Sequence, residues 1–554
     1  MKKGSIIIVS IAIIFSSCKK GSGGNTPVEP VTNLTLSSVK LNGQATTSGM
    51  NNVNLTPVVK FYFSKKIDRT TVSNSVSFTN ASGINVSYFP SYENSDSTLV
   101  IQPSSALGGL TKYEVSLSTS LKSTENKNLV SGTDISFTTQ IDSSDKFPII
   151  SDSALLDLVQ QQTFKYFWDF GHPVSGLARE RNTSGETVTT GGSGFGVMAI
   201  IAAINRNFIT RQQGLTRLQT IVGFLKNTAP KFHGAFSHWM NGTTGAVVPF
   251  QPPYDNGADL VETSYMMMGL LCARQYFDAG DAAETALRND INTLYNNVDW
   301  DFFRQGKKVL YWNWSPDYGF KVDVAIQGWN ETLITYVLAA SSPTHGISKA
   351  VYDSGFARSG AMVNNKTFYG YQLPLGPDYG GPLFFEHYSF MGINPKSLTD
   401  QYANYQTQTL NHTKINYEYC KANPKGYYGY SDQCWGLTAS DIQNGYTASS
   451  PTNDVGVIAP TAAVSSLPYT PAESMKALKF FYYKLGDKLW AQYGFYDSFK
   501  LQDAWFSNTY LAIDEGPIVV MIENYRTGLL WNLFMSCPEV KAGMQSLGFQ
   551  SPNL

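Results

Sequence analysis

Three short stretches of this chain set carboxyl groups where they could exchange protons. The first is Tyr254-Asp255-Asn256-Gly257-Ala258-Asp259-Leu260-Val261-Glu262, which runs into Met266-Met267-Met268-Gly269-Leu270-Leu271. Read as a helix from about Gly257, it places Asp259 and Glu262 on one face, with Asp255 one turn earlier. Asp255 as an N-cap followed by two first-turn acids would account for the spacing alone, because free amides and the helix dipole favour negative charge there. The helix that follows is nearly all apolar and therefore buried, and buried acids need partners or a purpose. The second stretch is Trp312-Asn313-Trp314-Ser315-Pro316, followed by Gln327-Gly328-Trp329-Asn330-Glu331. An apolar enclosure raises a carboxyl pKa and keeps the proton on, which makes Glu331 the expected proton donor, with a helix-terminal acid as the alternative. The third is Ala512-Ile513-Asp514-Glu515-Gly516-Pro517. Proline suits a first helical turn, so Asp514 or Glu515 should project from a helix mouth unless Asp514 merely caps it. Glu386, in Phe384-Phe385-Glu386-His387-Tyr388, adds a fourth acid among aromatics and reads as a substrate-binding or wall residue.

Trp239, Trp312, Trp314, Trp329, Tyr379, Trp435 and Trp505 fall in expected loops or loop edges. Each alone is more often packing than platform. Together, beside carboxylates, they favour a cleft for sugars, whose ring faces stack on aromatics while acids and amides take the hydroxyls. His233 and His238 lack helical metal spacing, so no metal site is expected, and no cofactor either. Gly191-Gly192-Ser193-Gly194-Phe195-Gly196 fits neither a nucleophile elbow nor a phosphate loop, and close helix packing explains it better. Arg179 could reach the cleft or the surface.

The elements that must position these groups divide the chain. Its 554 residues imply more than one domain, and a 42% hydrophobic share with 15% charged residues can bury a large core. With 41 basic and 42 acidic side chains, the clustered positive charge that nucleic acid demands is not expected. Residues 31–141 offer short Val, Ile, Thr, Phe and Tyr runs such as Val58-Val59-Lys60-Phe61-Tyr62-Phe63, broken by turn residues, and read as a β-sandwich. A polar hinge spans 142–150. From 151 to 554 the periodicity becomes helical, with runs near 196–207, 213–227, 258–277, 283–295, 325–340, 398–419, 472–489 and 517–534. Long loops rich in Trp, Tyr, Gly and Asn separate them, as in a toroid of helical hairpins whose loops build a cleft on one face.

Residues 1–17 have the layout of a secretory signal: Lys2-Lys3, an apolar run from Ile6 to Phe15 too short to span a bilayer, then Ser16-Ser17-Cys18. Small residues before Cys18 and the Gly/Ser/Pro-rich linker 18–30 resemble a bacterial lipoprotein processing site, which makes Cys18 the expected lipidated residue. An incidental cysteine behind an ordinary signal is the alternative. Cys420 and Cys434 could be bridged or free.

Two resemblances sharpen these expectations. Phe63-Ser64-Lys65-Lys66-Ile67-Asp68, Leu110-Thr111-Lys112-Tyr113-Glu114-Val115 and Ile135-Ser136-Phe137-Thr138-Thr139 resemble the bacterial Ig-like domain of S-layer proteins. Gly194-Phe195-Gly196, Phe236-Ser237-His238-Trp239, Asp259-Leu260-Val261-Glu262-Thr263, Gly328-Trp329-Asn330-Glu331 and Asp514-Glu515-Gly516-Pro517 resemble the glucoamylase-like proteins of glycoside hydrolase family 144, over nearly the whole second domain. That resemblance implies an (α/α)6 toroid, hydrolysis of β-1,2-glucan or its oligosaccharides with inversion, and functional acids at Asp255, Asp259, Glu262 and Glu331. Glu331 is then the acid and Asp514 the expected base, with Glu262 in reserve. Asp255, Asp259, His238, Trp239, Trp312, Trp314, Trp329, Glu386, Arg179 and Glu515 are the expected substrate-binding set. The expected partners are a polysaccharide or oligosaccharide and a membrane met through the Cys18 lipid. The protein is expected to be a monomer in the cell envelope, facing the periplasm or the outer surface. A non-catalytic glycan-binding lipoprotein is the competing reading, and lyase or epimerase work ranks last.

Overall fold

The computed structural model describes residues 33–46 and 49–554. The expected signal, linker and Cys18 lie outside the described residues. The chain folds as two compact units. Of the described residues, one unit comprises 33–46 together with Thr56–Ala106 and Glu114–Ser136, and the other Gly49–Leu55, Leu107–Tyr113 and Phe137–Leu554.

Among the described residues, nine strands lie before the helical region: β1 (Leu36–Leu41), β2 (Gln44–Ala45), β3 (Met50–Val53), β4 (Val59–Phe63), β5 (Val76–Asn80), β6 (Tyr88–Glu93), β7 (Thr98–Pro103), β8 (Lys112–Leu117) and β9 (Thr133–Thr139). They form a five-stranded sheet in the order β2-β1-β4-β7-β6 and a four-stranded sheet in the order β3-β9-β8-β5. The period-2 pattern sets which face is buried: Val59, Phe61 and Phe63 point inward along β4 while Lys60 and Tyr62 alternate outward.

The second unit is helical. Ser151 caps α1 (Asp152–Trp168), and Thr210 with Gln213 forms a capping box on α3 (Arg211–Asn227). Between them, α2 (Thr190–Asn205) is buried on every side and packs against α4 (Leu260–Tyr276), which is buried from Leu260 to Ala273. Glycines make that contact close. A Cβ on Gly194 would lie 2.3 Å from the Tyr265 carbonyl oxygen, and one on Gly269 would lie 2.2 Å from the Gly194 oxygen. The glycine-rich run therefore serves packing. By contrast, α5 (Ala282–Asn296) buries one face, with Leu287, Ile291 and Leu294 along it and Glu284 and Tyr295 at its ends.

Several boundaries differ from the periodicity. The helix expected over 325–340 begins only at Leu333 as α6 (Leu333–Ser341), because Ala325–Ile326 pairs as a strand with Leu310–Tyr311 and Glu331 sits in the intervening turn. The run expected over 517–534 is two helices, Ala512–Arg526 and Leu529–Ser536, parted at Gly528, whose φ is +70°. Pro517 lies inside the first of them, so Asp514 and Glu515 occupy its first turn rather than a preceding loop. Cys272, Cys420, Cys434 and Cys537 are free and buried. No helix among the described residues is long and apolar enough to cross a membrane.

Candidate active site

Two groups of acids meet around a pair of tyrosines. The first group is built on the start of α4. Asp259, not Asp255, is the N-cap: its Oδ1 accepts from the Val261 and Glu262 amides at 3.0 and 2.9 Å. Its Oδ2 accepts from His238 Nδ1 at 2.8 Å and from Trp312 Nε1 at 3.0 Å. Capping and site-building therefore use opposite oxygens of one carboxylate. The Trp312 indole arrives because strand Asn313–Trp314 pairs with Ala258–Asp259. Asp255 is held by Asn313 Nδ2 at 3.1 Å and by the Phe250 amide at 3.3 Å. Glu262 accepts the Gly191 amide at 2.6 Å and the Thr189 hydroxyl at 3.3 Å, at the N-terminal end of α2.

Burial and neighbouring charges act on this group. Burial raises the Glu262 carboxyl, with the His238 imidazolium pulling it back. Burial also raises Asp255, and the neighbouring Asp259 charge adds to the shift. Burial alone would strip His238 of its proton. The Glu262 charge, the hydrogen bond to Asp259 and the charges of Asp259 and Asp255 outweigh it and hold the imidazole at about 9. Its ring stacks on Phe250 with centroids 4.2 Å apart, and Trp239 stands edge-on to both.

Glu331 faces this group. It is partly exposed where the other acids are buried. Burial of its carboxyl pushes it up to about 7, its own backbone amide pulling it back and the Glu262 and Asp259 charges adding to the rise. Its backbone is fixed by Ser389 Oγ, 2.5 Å from the Glu331 carbonyl oxygen, while the same hydroxyl accepts the Ile334 amide at 3.0 Å.

The second group gathers at the helix Ala512–Arg526. Residues 179–182 run beside its start, the Ala512 amide donating to the Glu180 carbonyl at 3.0 Å. Arg181 forms ion pairs with Glu180 at 3.0 Å and with Asp441 at 3.2 Å. Asp441 also accepts from Thr509 Oγ1 at 2.6 Å. Asp514 is 3% exposed and Asp497 4%. Burial raises both. The Asp441 charge helps bring Asp497 to about 7 while its hydrogen bond to Asp514 pulls it back, and on Asp514 the Asp497 charge and that same hydrogen bond add to the rise. Glu515, 1% exposed, is raised by burial and by Asp497. A cavity of about 510 Å³ opens here, lined by Arg181, Asp441, Tyr446, Trp505, Phe506 and Thr509 among others.

Tyr265 and Tyr388 join the two groups, their rings edge-on at 5.7 Å. Both hydroxyls are raised mainly by burial. Tyr265 also feels Glu331, Glu262 and Asp259, whereas Tyr388 feels both Asp514 and Glu331.

The structure brings Asp255, Asp259, Glu262, Glu331, His238, Trp239 and Trp312 together, and Asp514 acts with Glu331 on Tyr388. Other expectations need correction. Trp329 is 4% exposed and gives its indole N–H to Glu386 at 3.0 Å, so it is an internal strut, not a platform. Glu386 is fully buried, and the same Oε1 accepts from Gln408 at 2.9 Å and meets His412 Nδ1 at 2.8 Å, so it does not line the wall. Trp435 is likewise enclosed, and so is Glu515. Trp314 packs against His233 and Phe302 at 4.7 and 5.7 Å, supporting the strand that carries Trp312. Arg179 lies over the Phe170 ring at 4.9 Å, and its neighbour Arg181 is the arginine that engages the acids. Asp441, Asp497, Tyr388 and Tyr446 escaped the sequence reading. Asp497, in Phe495-Tyr496-Asp497-Ser498-Phe499, carried the one available signal, an acid inside an aromatic loop.

Comparisons with known proteins follow the same division. Residues 323–538 match the family described as "Putative glucoamylase", and residues 37–139 match the bacterial Ig-like domain. An exo β-1,2-glucooligosaccharide sophorohydrolase (non-reducing end) of Parabacteroides distasonis is 47% identical over 421 residues, which are 72% of this chain and 58% of that protein. This chain thus spans 58% of the length of the curated relative it matches. The endo-β-1,2-glucanase of Chitinophaga pinensis, solved with sophorotriose and glucose, is 51% identical with a TM-score of 0.72, covering 73% of this chain and 100% of that one. A β-1,2-glucanase structure from Parabacteroides distasonis is 38% identical with a TM-score of 0.70, covering 94% and 74%. The helical domain is therefore similar to glucanase structures.

Proposed function

The chain belongs to the glucoamylase-like family, of the glycoside hydrolase family 144 type, with an Ig-like domain ahead of the helical one, and from that membership we propose that it hydrolyses β-1,2-glucan or its oligosaccharides. One observation carries the chemistry: Glu331 stands half-buried beside Asp259 and Glu262, in a turn held by Ser389, where burial and those neighbouring charges push its carboxyl up to about 7. Such a group keeps its proton near neutral pH yet gives it up readily, as a general acid must.

In this reading a glucan chain runs past Glu331, over the side chains that cover the buried Tyr265 and Tyr388. Trp239, Trp312 and Phe250 stack on sugar faces at one end, and Trp505, Phe506 and Tyr446 line the cavity at the other. Asp255, Asp259 and the His238 imidazolium take hydroxyls. Glu331 gives its proton to the glycosidic oxygen as the bond to the anomeric carbon breaks. Water attacks that carbon from the opposite face, its proton passing to ionised Asp514 directly or through a sugar hydroxyl. An acid from each of the two groups, both acting on Tyr388, suits inversion, with Glu262 in reserve as base. The helices are read as hairpins of an (α/α)6 toroid carrying these loops.

The test is product analysis. Incubation with β-1,2-glucan should release sophorose or larger β-1,2-linked oligosaccharides, and the first-formed product should be the α-anomer. Binding without hydrolysis across linkage-defined glucans would select a glycan-binding protein instead. Lys2 to Cys18 supports anchoring as an envelope lipoprotein: Cys18→Ser should move the protein from the membrane to the soluble fraction. The unit is read as a monomer, which light scattering checks.

A further inference from the structure

Asp497 has no part in the mechanism above, yet it touches the proposed base. It lies between the strands Gly494–Phe495 and Phe499–Lys500. Its amide donates to the Thr509 carbonyl at 2.9 Å, and its Oδ2 accepts the Asp441 amide at 2.7 Å. These bonds tie the carboxyl to Asp441 and Thr509, two residues of the cavity wall. Its Oδ1 is buried and receives no N–H or hydroxyl from the described residues, and the same holds for Asp514 Oδ2. What each carboxyl meets is the other, in a side-chain hydrogen bond. Two carboxylates have no donor between them, so such a bond exists only when a proton lies in it.

The charges around the pair lead to the same proton. Asp441 faces it from the strand Ala439–Ile442, Glu515 from the helix of Asp514, Tyr446 from the strand Gly445–Ala448, and Tyr388 from beyond. Arg181 is the cation facing this group among the described residues, and Glu180 and Asp441 already engage it. The pair therefore keeps one proton, because two adjacent buried negative charges would repel without compensation.

We propose that Asp497 is a positioning residue for Asp514: the two carboxyls share a single proton, which rests on Asp497 when Asp514 carries the charge that activates water. This inference rests on the hydrolase reading. It makes the acid limb of the pH profile a property of the pair rather than of Asp514. In Asp497→Asn the amide Nδ2 supplies the donor permanently and the second negative charge never forms. Asp514 then ionises more easily, and the acid limb of kcat/KM moves to lower pH by about one unit or more. A merely structural residue would instead lower kcat/KM equally at every pH, with the limb unmoved, and that result would overturn the proposal.

A second measurement does not depend on turnover. Infrared spectra of protein labelled with carboxyl-¹³C aspartate should show, at about pH 6, a protonated aspartic carboxyl that is lost in Asp514→Asn and in Asp497→Asn alike. Persistence of that signal in Asp514→Asn overturns the shared proton even if Asp497→Asn fails to fold. A wild-type protein that shows the signal, loses it in Asp514→Asn, and yet leaves β-1,2-glucan intact would retain the pair while refuting the substrate reading.

Discussion

Replacing Glu331 by Gln removes the proposed proton while preserving shape. At pH 6 a carboxyl titrating at about 7 is about nine-tenths protonated, against about three-hundredths for one at the ordinary 4.5. Burial thus supplies roughly a thirtyfold gain in the acid form at that pH. Losing general acid catalysis altogether should lower kcat on β-1,2-glucan by about 10²–10⁴-fold, with KM nearly unchanged because Asp255, Asp259 and His238 still hold hydroxyls. An aryl β-sophoroside supplies the internal control, since its phenolate departs with little need of a proton. Initial rates on both substrates, followed from pH 4 to 9, decide the matter. Wild-type kcat/KM should fall as pH rises through about 7, where Glu331 ionises. The variant should lose that limb and should retain most of its rate on the aryl glycoside. An alkaline limb near 7 that survives in Glu331→Gln, or equal loss on both substrates, would remove Glu331 from the acid role.

Three further outcomes test the framework. His387 is buried, its pKa pulled down by burial and by His412 to about 3, and it bonds Ser466 Oγ at 3.0 Å. The unfolded chain takes up this proton first, so the stability tied to neutral His387 is complete above about 6.5 and is lost as pH falls from there through about 3. His387→Gln should flatten that acid slope in urea unfolding. Gly194→Ala drives a methyl against the Tyr265 carbonyl at 2.3 Å and should cost about 1–3 kcal/mol, measured by denaturant midpoint. Glu386→Ala strands the donors of Trp329, Gln408 and His412 in a site without solvent, and should cost about 3–5 kcal/mol. It should also lower kcat, because Trp329 tethers the turn that carries Glu331.

Local pattern carried a good deal of this molecule. The alternation along β4 and the shift to helical periodicity after residue 151 revealed the two kinds of architecture, because burial of one face repeats at the period of the element. An apolar run behind Asp259 and Glu262 was enough to say that these acids are buried and partnered. The residues around Glu331 were enough to expect a raised carboxyl, because desolvation follows from neighbours close in sequence. Only the tertiary structure decided which oxygen of Asp259 caps a helix and which receives Trp312 and His238. It also turned Trp329 inward onto Glu386 and chose Arg181 over Arg179. Asp441, Asp497 and Asp514 come from separate segments and become one electrostatic unit only when the fold closes. A proton shared between two of them depends on distances that no spacing along the chain encodes.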